Sequence, residues 1–163
     1  MKHNKKLIVL VGNIGSGKST LASTYTKEGY VIIARDALRY NIGGGEYIFD
    51  FKLEHAIWDT ELAMVEGFMK IDVNIIIDEV GLTRTVRARY INLAYKYNYY
   101  TTALILPKLS MKESVDRRLK NPHGQPNRQL WEDIWIRFDS AYEPPIYDEG
   151  FDKIINYKEN NND

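Results

Sequence analysis

The chain has no cysteine, which excludes disulfides and thiolate chemistry and suits a reducing compartment. Net charge is also missing, with 22 basic residues against 22 acidic ones, so no global basic field drives indiscriminate nucleic-acid binding. No apolar run approaches the roughly 20 residues needed to cross a bilayer. The basic start Met1-Lys2-His3-Asn4-Lys5-Lys6 leads into only a short apolar run and no cleavage site, unlike a secretory leader. A soluble, cytoplasmic protein without a membrane partner is expected. Internal repeats and low-complexity tracts are absent as well.

What is present is an alternation. At 163 residues and 44% hydrophobic, the chain fits one domain over residues 1–163. Short apolar runs at Lys6 to Val11, Val31 to Ala34, Val73 to Ile77, Tyr100 to Leu106 and Lys153 to Tyr157 read as strands. Longer amphipathic stretches at Lys18 to Glu28, Phe51 to Ile71, Thr83 to Tyr97, Ser110 to Lys120 and Asn127 to Tyr142 read as helices. Strands alternating with helices predict an α/β fold with a parallel sheet. In the second helix Leu53, Ile57, Met64 and Phe68 lie beside Trp58, Leu62, Val65 and Met69, a wide apolar face best read as core. Asn41 to Glu46, with three glycines, predicts a mobile loop. Asn121 to Pro126, with two prolines and a glycine, predicts the turn of a lid covering about residues 110–130. The polar tail 158–163 is expected to fray.

One motif carries chemistry directly. Gly12-Asn13-Ile14-Gly15-Ser16-Gly17-Lys18-Ser19-Thr20 follows the first strand and opens the first helix, the setting of a phosphate-binding loop. Successive backbone N–H groups and the positive end of the helix dipole converge there on an anion. Lys18 would neutralise the outer phosphates of a nucleoside triphosphate, and Ser19 would offer a hydroxyl to its Mg2+.

Ligands of parallel sheets sit beyond the carboxyl ends of the strands, and those ends are charged here. After strand two comes Arg35-Asp36-Ala37-Leu38-Arg39; after strand three comes Asp78-Glu79. A phosphotransferase needs a carboxylate beside the acceptor hydroxyl, and Asp36 is the candidate, although it also reads as a helix N-cap. Arg39, one turn on, could hold an anionic part of the acceptor. Asp78 could orient the metal's water shell, with Glu79 sharing that task or acting as a base. Residues 41–80 are rich in acids and residues 81–120 in bases. Thr83 would cap the basic helix bearing Arg84, Arg87 and Arg89, of which Arg87 is a candidate acceptor contact and Arg89 reads as solvated. Arg117 and Arg118, with Arg128 beyond the turn, are candidates to close over the triphosphate.

On the strength of Gly12 to Thr20, Arg35-Asp36 with Arg39, Ile75-Ile76-Ile77-Asp78, Leu93-Ala94-Tyr95-Lys96-Tyr97 and Ser114-Val115-Asp116-Arg117, nearly the whole chain resembles a phage-type polynucleotide 5'-kinase domain. That family is one of the small P-loop kinases. The resemblance implies a three-layer P-loop kinase fold: a five-stranded parallel sheet, helices on both faces and a small lid bearing arginine. It implies ATP with Mg2+, Asp36 as general base on a 5'-hydroxyl, and Arg39 against the acceptor's phosphate. Where the family has a second lid arginine this chain has Lys120-Asn121, so Arg118 or Arg128 would substitute. The phosphatase domain of bifunctional members has no room here, and no 3'-phosphatase activity is expected. A nucleic acid with a 5'-hydroxyl end is the expected acceptor, and Tyr40, Tyr47, Phe49 and Phe51 could stack on its bases. A nucleoside, a modified base or another small metabolite is the alternative; a regulatory ATPase without an acceptor is a third.

Overall fold

Five apolar runs form one parallel sheet in a computed structural model that describes residues 5–158. The strands are β1 (Lys6–Val11), β2 (Val31–Ile33), β3 (Ile75–Ile77), β4 (Tyr100–Ile105) and β5 (Lys153–Asn156), in the order β2-β3-β1-β4-β5. The helices are α1 (Lys18–Tyr25), α2 (Arg35–Ile42), α3 (Phe51–Met69), α4 (Arg84–Tyr97), α5 (Met111–Leu119) and α6 (Arg128–Ala141). The expectation of fraying at 158–163 lies, beyond Lys158, outside the described residues. No helix among the described residues is long and apolar enough to cross a membrane.

Side chains alternate across a strand, and the core divides accordingly. Leu7, Val9, Ile75, Ile77 and Ala103 face Val65 and Met69 of α3 and Tyr90, Ile91 and Ala94 of α4. Ile8, Leu10, Ile76 and Leu104 face Leu21 and Ala22 of α1. Covered on both sides, the strands need continuous apolar runs, which explains why they were legible. A third cluster of Ile14, Val115 and Trp131 joins the phosphate loop to α5 and α6.

The helix starts follow side-chain caps. Asp50 accepts from Lys52 N, Thr83 from Val86 N, and Ser110 forms a reciprocal capping box with Glu113. Helix α2 is the element that periodicity did not reveal. It has eight residues, and its N-cap is Ala34 rather than Asp36. Asp36 therefore does not cap; the N–H of Arg35 is taken instead by Glu79 Oε1 at 2.6 Å. The wide apolar face expected on α3 is only partly core: Ile57, Val65 and Met69 are buried, while Leu53 and Met64 are exposed.

Candidate active site

The phosphate loop leaves the first turn of α1 open. Gly17 is its N-cap in the left-handed region at φ 95° and supplies no side chain to the free N–H groups, so those donors point at the space an anion would fill. Gly15 also has a positive φ of 65°, and a Cβ there would stand 2.3 Å from the Ser114 carbonyl oxygen. The loop is thus pressed against α5. Asn13 Nδ2 donates to Trp135 O at 3.0 Å, tying the same loop to α6. Lys18 is buried and donates to Gly12 O and Asn13 O at 2.9 and 2.7 Å. Burial lowers its ammonium pKa to about 8, against the pull of Asp78.

Beside Lys18, the Ser19 hydroxyl hydrogen-bonds Asp78, whose carboxyl burial pushes upward while Ser19 and Lys18 hold it down. The pair fits Mg2+, a hard cation that keeps several waters and takes one or two protein oxygens beside substrate phosphates. No cluster of three or more His, Asp or Glu able to hold a metal forms among the described residues.

A cleft of about 1070 Å³ runs from this loop past Asp36 and Arg39 to Phe49 and Phe51, with Arg117, Arg118 and His123 along its other wall. Arg39 Nη1 donates to Asp36 Oδ1 at 2.7 Å, and its Nε and Nη2 grip both oxygens of Glu54 at 2.9 and 2.6 Å. Tyr47 Oη donates to Asp36 Oδ1 at 2.9 Å, and His123 Nε2 stands 3.3 Å from Oδ2. Burial would raise the Asp36 carboxyl, but His123, Tyr47 and Arg39 together hold it well below the usual carboxylate range. Its side chain nonetheless keeps 45% of its surface exposed, facing the cleft. A second cavity, of about 260 Å³, lies beside Leu106, Phe138 and Tyr157 and touches neither Lys18 nor Asp36.

Several expected site residues have other duties. Glu79 lines the cleft but is buried, caps α2 and pairs with the Arg35 guanidinium. Arg35 lines the cleft, with its Nη2 on Glu79, its Cζ 3.4 Å from the Trp58 ring centroid, and Glu61 3.6 Å from a buried Nε that has no hydrogen-bond partner among the described residues. Arg87 is a correction. It is fully buried, gives Nε and Nη2 to Glu149 at 2.8 and 2.7 Å and Nη1 to Gly81 O at 2.8 Å, and does not line the cleft. Arg128 pairs with Asp116 and lies near Glu132, also away from the cleft. Arg89 is exposed, as expected, and its guanidinium sits 4.5 Å over the Trp58 ring.

The two adjacent arginines of α5 have different surroundings. Arg117 is exposed along the cleft with no side-chain hydrogen bond or ion pair among the described residues. Arg118 is held by His123 at 2.6 Å and lies 5.1 Å over Trp131. Sequence reasoning missed His123, Glu54 and Trp58. A lone histidine between prolines gives no signal, and Glu54 and Trp58 sit on an ordinary amphipathic helix.

Three solved structures show where this fold recurs. A chain of the Pnkp1/Rnl/Hen1 complex is 26% identical, with a TM-score of 0.62 over 72% of this chain and 40% of its own length. A gluconokinase from Sinorhizobium meliloti is 19% identical, with a TM-score of 0.57 over 95% of this chain and 83% of its own. Kti12 from Chaetomium thermophilum, solved with ADP-AlF3, is 16% identical, with a TM-score of 0.63 over 95% of this chain and 91% of its own. This chain spans less than half the length of the chains it matches in two Pnkp1/Rnl/Hen1 complexes. No curated protein matches it. The fold is that of the P-loop kinases, and a family model described as an AAA domain matches residues 7–145, so the chain belongs to the AAA domain family.

Proposed function

We propose that this protein transfers the terminal phosphoryl group of ATP to a hydroxyl of a nucleic acid, most readily a 5'-hydroxyl end. The observation that carries the reading is one continuous cleft with an anion-binding loop at one end and, at the other, the half-exposed Asp36 paired with the buried Arg39. In the transfer, the acceptor oxygen bonds to the terminal phosphorus as the bond from that phosphorus to the bridging oxygen breaks, and ADP departs. The hydroxyl proton passes to Asp36. Because hydrogen bonds from Arg39 and Tyr47 make this carboxylate a weak base, its larger task is to orient the hydroxyl. Arg39, fixed from behind by Glu54, presents its remaining edge to an anionic group of the acceptor. Ser19 and Asp78 would hold Mg2+, which offsets negative charge on the phosphates. Arg117, which lines the cleft, would meet charge shared between donor and acceptor.

The aromatic mouth favours a nucleic acid. Tyr40 and Tyr47 are occupied with His123, whereas Phe49 and Phe51 are 55% and 86% exposed and meet edge to face at 5.2 Å. Exposed rings at the entrance of a cleft suit base stacking. The test incubates the protein with labelled ATP and 5'-hydroxyl DNA and RNA oligonucleotides; absence of transfer to all of them would falsify the nucleic-acid reading. The likeness to a gluconokinase over nearly the whole chain supports a small polyol as the rival acceptor. That rival gains if label moves to small molecules and oligonucleotides do not compete.

A further inference from the structure

One ring at the edge of the cleft faces two partners whose demands conflict. His123 Nε2 stands 2.6 Å from Arg118 Nη1 and 3.3 Å from Asp36 Oδ2, while Nδ1 stands 2.7 Å from Tyr40 Oη. The ring stacks on Tyr47 at 4.4 Å and 17°, has Trp131 tilted at 6.3 Å on another side, and keeps only 10% of its surface exposed. Packing therefore fixes its orientation. An arginine N–H only donates, so the Arg118 contact needs a bare lone pair on Nε2. A carboxylate only accepts, so the Asp36 contact needs a proton on that same nitrogen. One nitrogen meets one demand at a time.

With the ring neutral and its proton on Nδ1, directed at Tyr40 Oη, Nε2 accepts from Arg118. A second proton, on Nε2, sets two cations against each other and gives the ring to Asp36. The other charged groups nearby do not alter this choice. From α2, Arg39 is bonded to Asp36; from α3, Glu54 faces Arg39; α6 brings Trp131, which is neutral. Besides its place 5.1 Å over Trp131, Arg118 has only a weak hold among the described residues, since its Nε is buried without a partner and Nη1 reaches Asn121 O at 3.5 Å.

We infer that His123 is a positioning residue for the transfer: neutral, it fixes Arg118 over the cleft and leaves Asp36 to the acceptor; protonated, it releases Arg118 and covers Asp36. The inference rests on the phosphoryl-transfer reading above for its catalytic consequence, but not for the state of the ring. Both effects of protonation act in one direction, so turnover falls as pH falls.

Two measurements test it. The first is the pH profile of kcat and KM, with ATP and a 5'-hydroxyl oligonucleotide, for wild type, His123→Gln and His123→Ala. The Gln variant, whose Oε1 accepts from Arg118 without titrating, should keep most of the turnover and lose the wild type's acid limb. The Ala variant should lose kcat by about 10- to 100-fold, the order seen when a partner that orients a metal-binding side chain is removed, with KM for ATP little changed. An acid limb that persists in the Gln variant, or wild-type kcat in the Ala variant, overturns the inference. The second is 15N NMR of the wild-type imidazole at neutral pH, which should show a protonated Nδ1 and a bare Nε2. A protonated Nε2 overturns the inference whatever the acceptor. If no oligonucleotide accepts phosphate, the acceptor reading fails while the imidazole spectrum still decides the tautomer.

Discussion

Asn in place of Asp36 separates a phosphotransferase from a nucleotide switch, because it keeps the side chain's shape and removes its charge and proton affinity. The frame around it should survive. Arg39 remains gripped by both oxygens of Glu54, and an amide oxygen can still accept from Tyr47. A general base contributes about 10²- to 10⁴-fold, or about 3–5 kcal/mol of barrier at 1.36 kcal/mol per tenfold. The lower half of that range applies here. Hydrogen bonds from Tyr47 and Arg39 draw the Asp36 carboxyl downward against its burial, so it takes the proton weakly. The expected result is a loss in kcat of about 10²- to 10³-fold, with KM for ATP nearly unchanged because Lys18 and Ser19 form the other end of the cleft. Initial rates with labelled ATP at saturating acceptor measure the first, and calorimetric titration of nucleotide measures the second. Wild-type kcat in Asp36→Asn refutes the assignment, and acceptor-independent ATP hydrolysis that is equally fast in both proteins supports a regulatory ATPase instead.

Arg39→Ala should raise KM for the acceptor by about one to two orders of magnitude, as for loss of a charge-assisted hydrogen bond, and leave ATP binding alone; equal effects in parallel titrations would move Arg39 out of the acceptor site. Glu149→Ala leaves the fully buried Arg87 charge with only the Gly81 carbonyl, a loss of about 3–5 kcal/mol, and at about 2–4 °C of Tm per kcal/mol for this size a large drop in melting temperature. A wild-type melt with impaired acceptor binding would instead restore Arg87 to the site. Glu61 has no exposed surface, and burial, then the nearby Glu79 charge, pushes its carboxyl from 4.5 up to about 7. Its raised folded-state pKa means the neutral acid stabilises the fold below about 4.5 and that contribution is lost as pH rises through about 7. The melting temperature of wild type relative to Glu61→Gln should therefore decline across that window, and a constant difference between the two melts would show that Glu61 is ionised in the fold throughout.

The strands and the phosphate loop were legible because their signals are local. A strand buried on both faces must be an unbroken apolar run, and a loop that presents backbone N–H groups to an anion must have glycines where φ turns positive, as at Gly15 and Gly17. Parallel topology then makes the ends of β2 and β3 neighbours of the loop, so Asp36 and Asp78 could be found from strand order alone. Helix α2 was hidden because it is short and its first N–H is capped by Glu79, 44 residues away in sequence. A cap supplied across the fold leaves no local pattern.

Arg87 and His123 show two different failures. The signal for Arg87 was present and was outweighed by the basic character of its helix: it shares the spacing of Tyr90, Ile91 and Ala94, the stripe that α4 turns to the sheet. A cation on that stripe must be buried with a partner rather than offered to a ligand. His123 had no such signal. Its meaning comes from Asp36 and Tyr40, 87 and 83 residues before it, and from Arg118 on the preceding helix, and none of these spacings follows from the period of any one element. The carboxylate proposed to act on the acceptor can be read from the ends of strands; its contact with His123 exists only once the chain has closed on itself. The donor end of the cleft is thus written in one short segment, while control of the acceptor end is assembled from four.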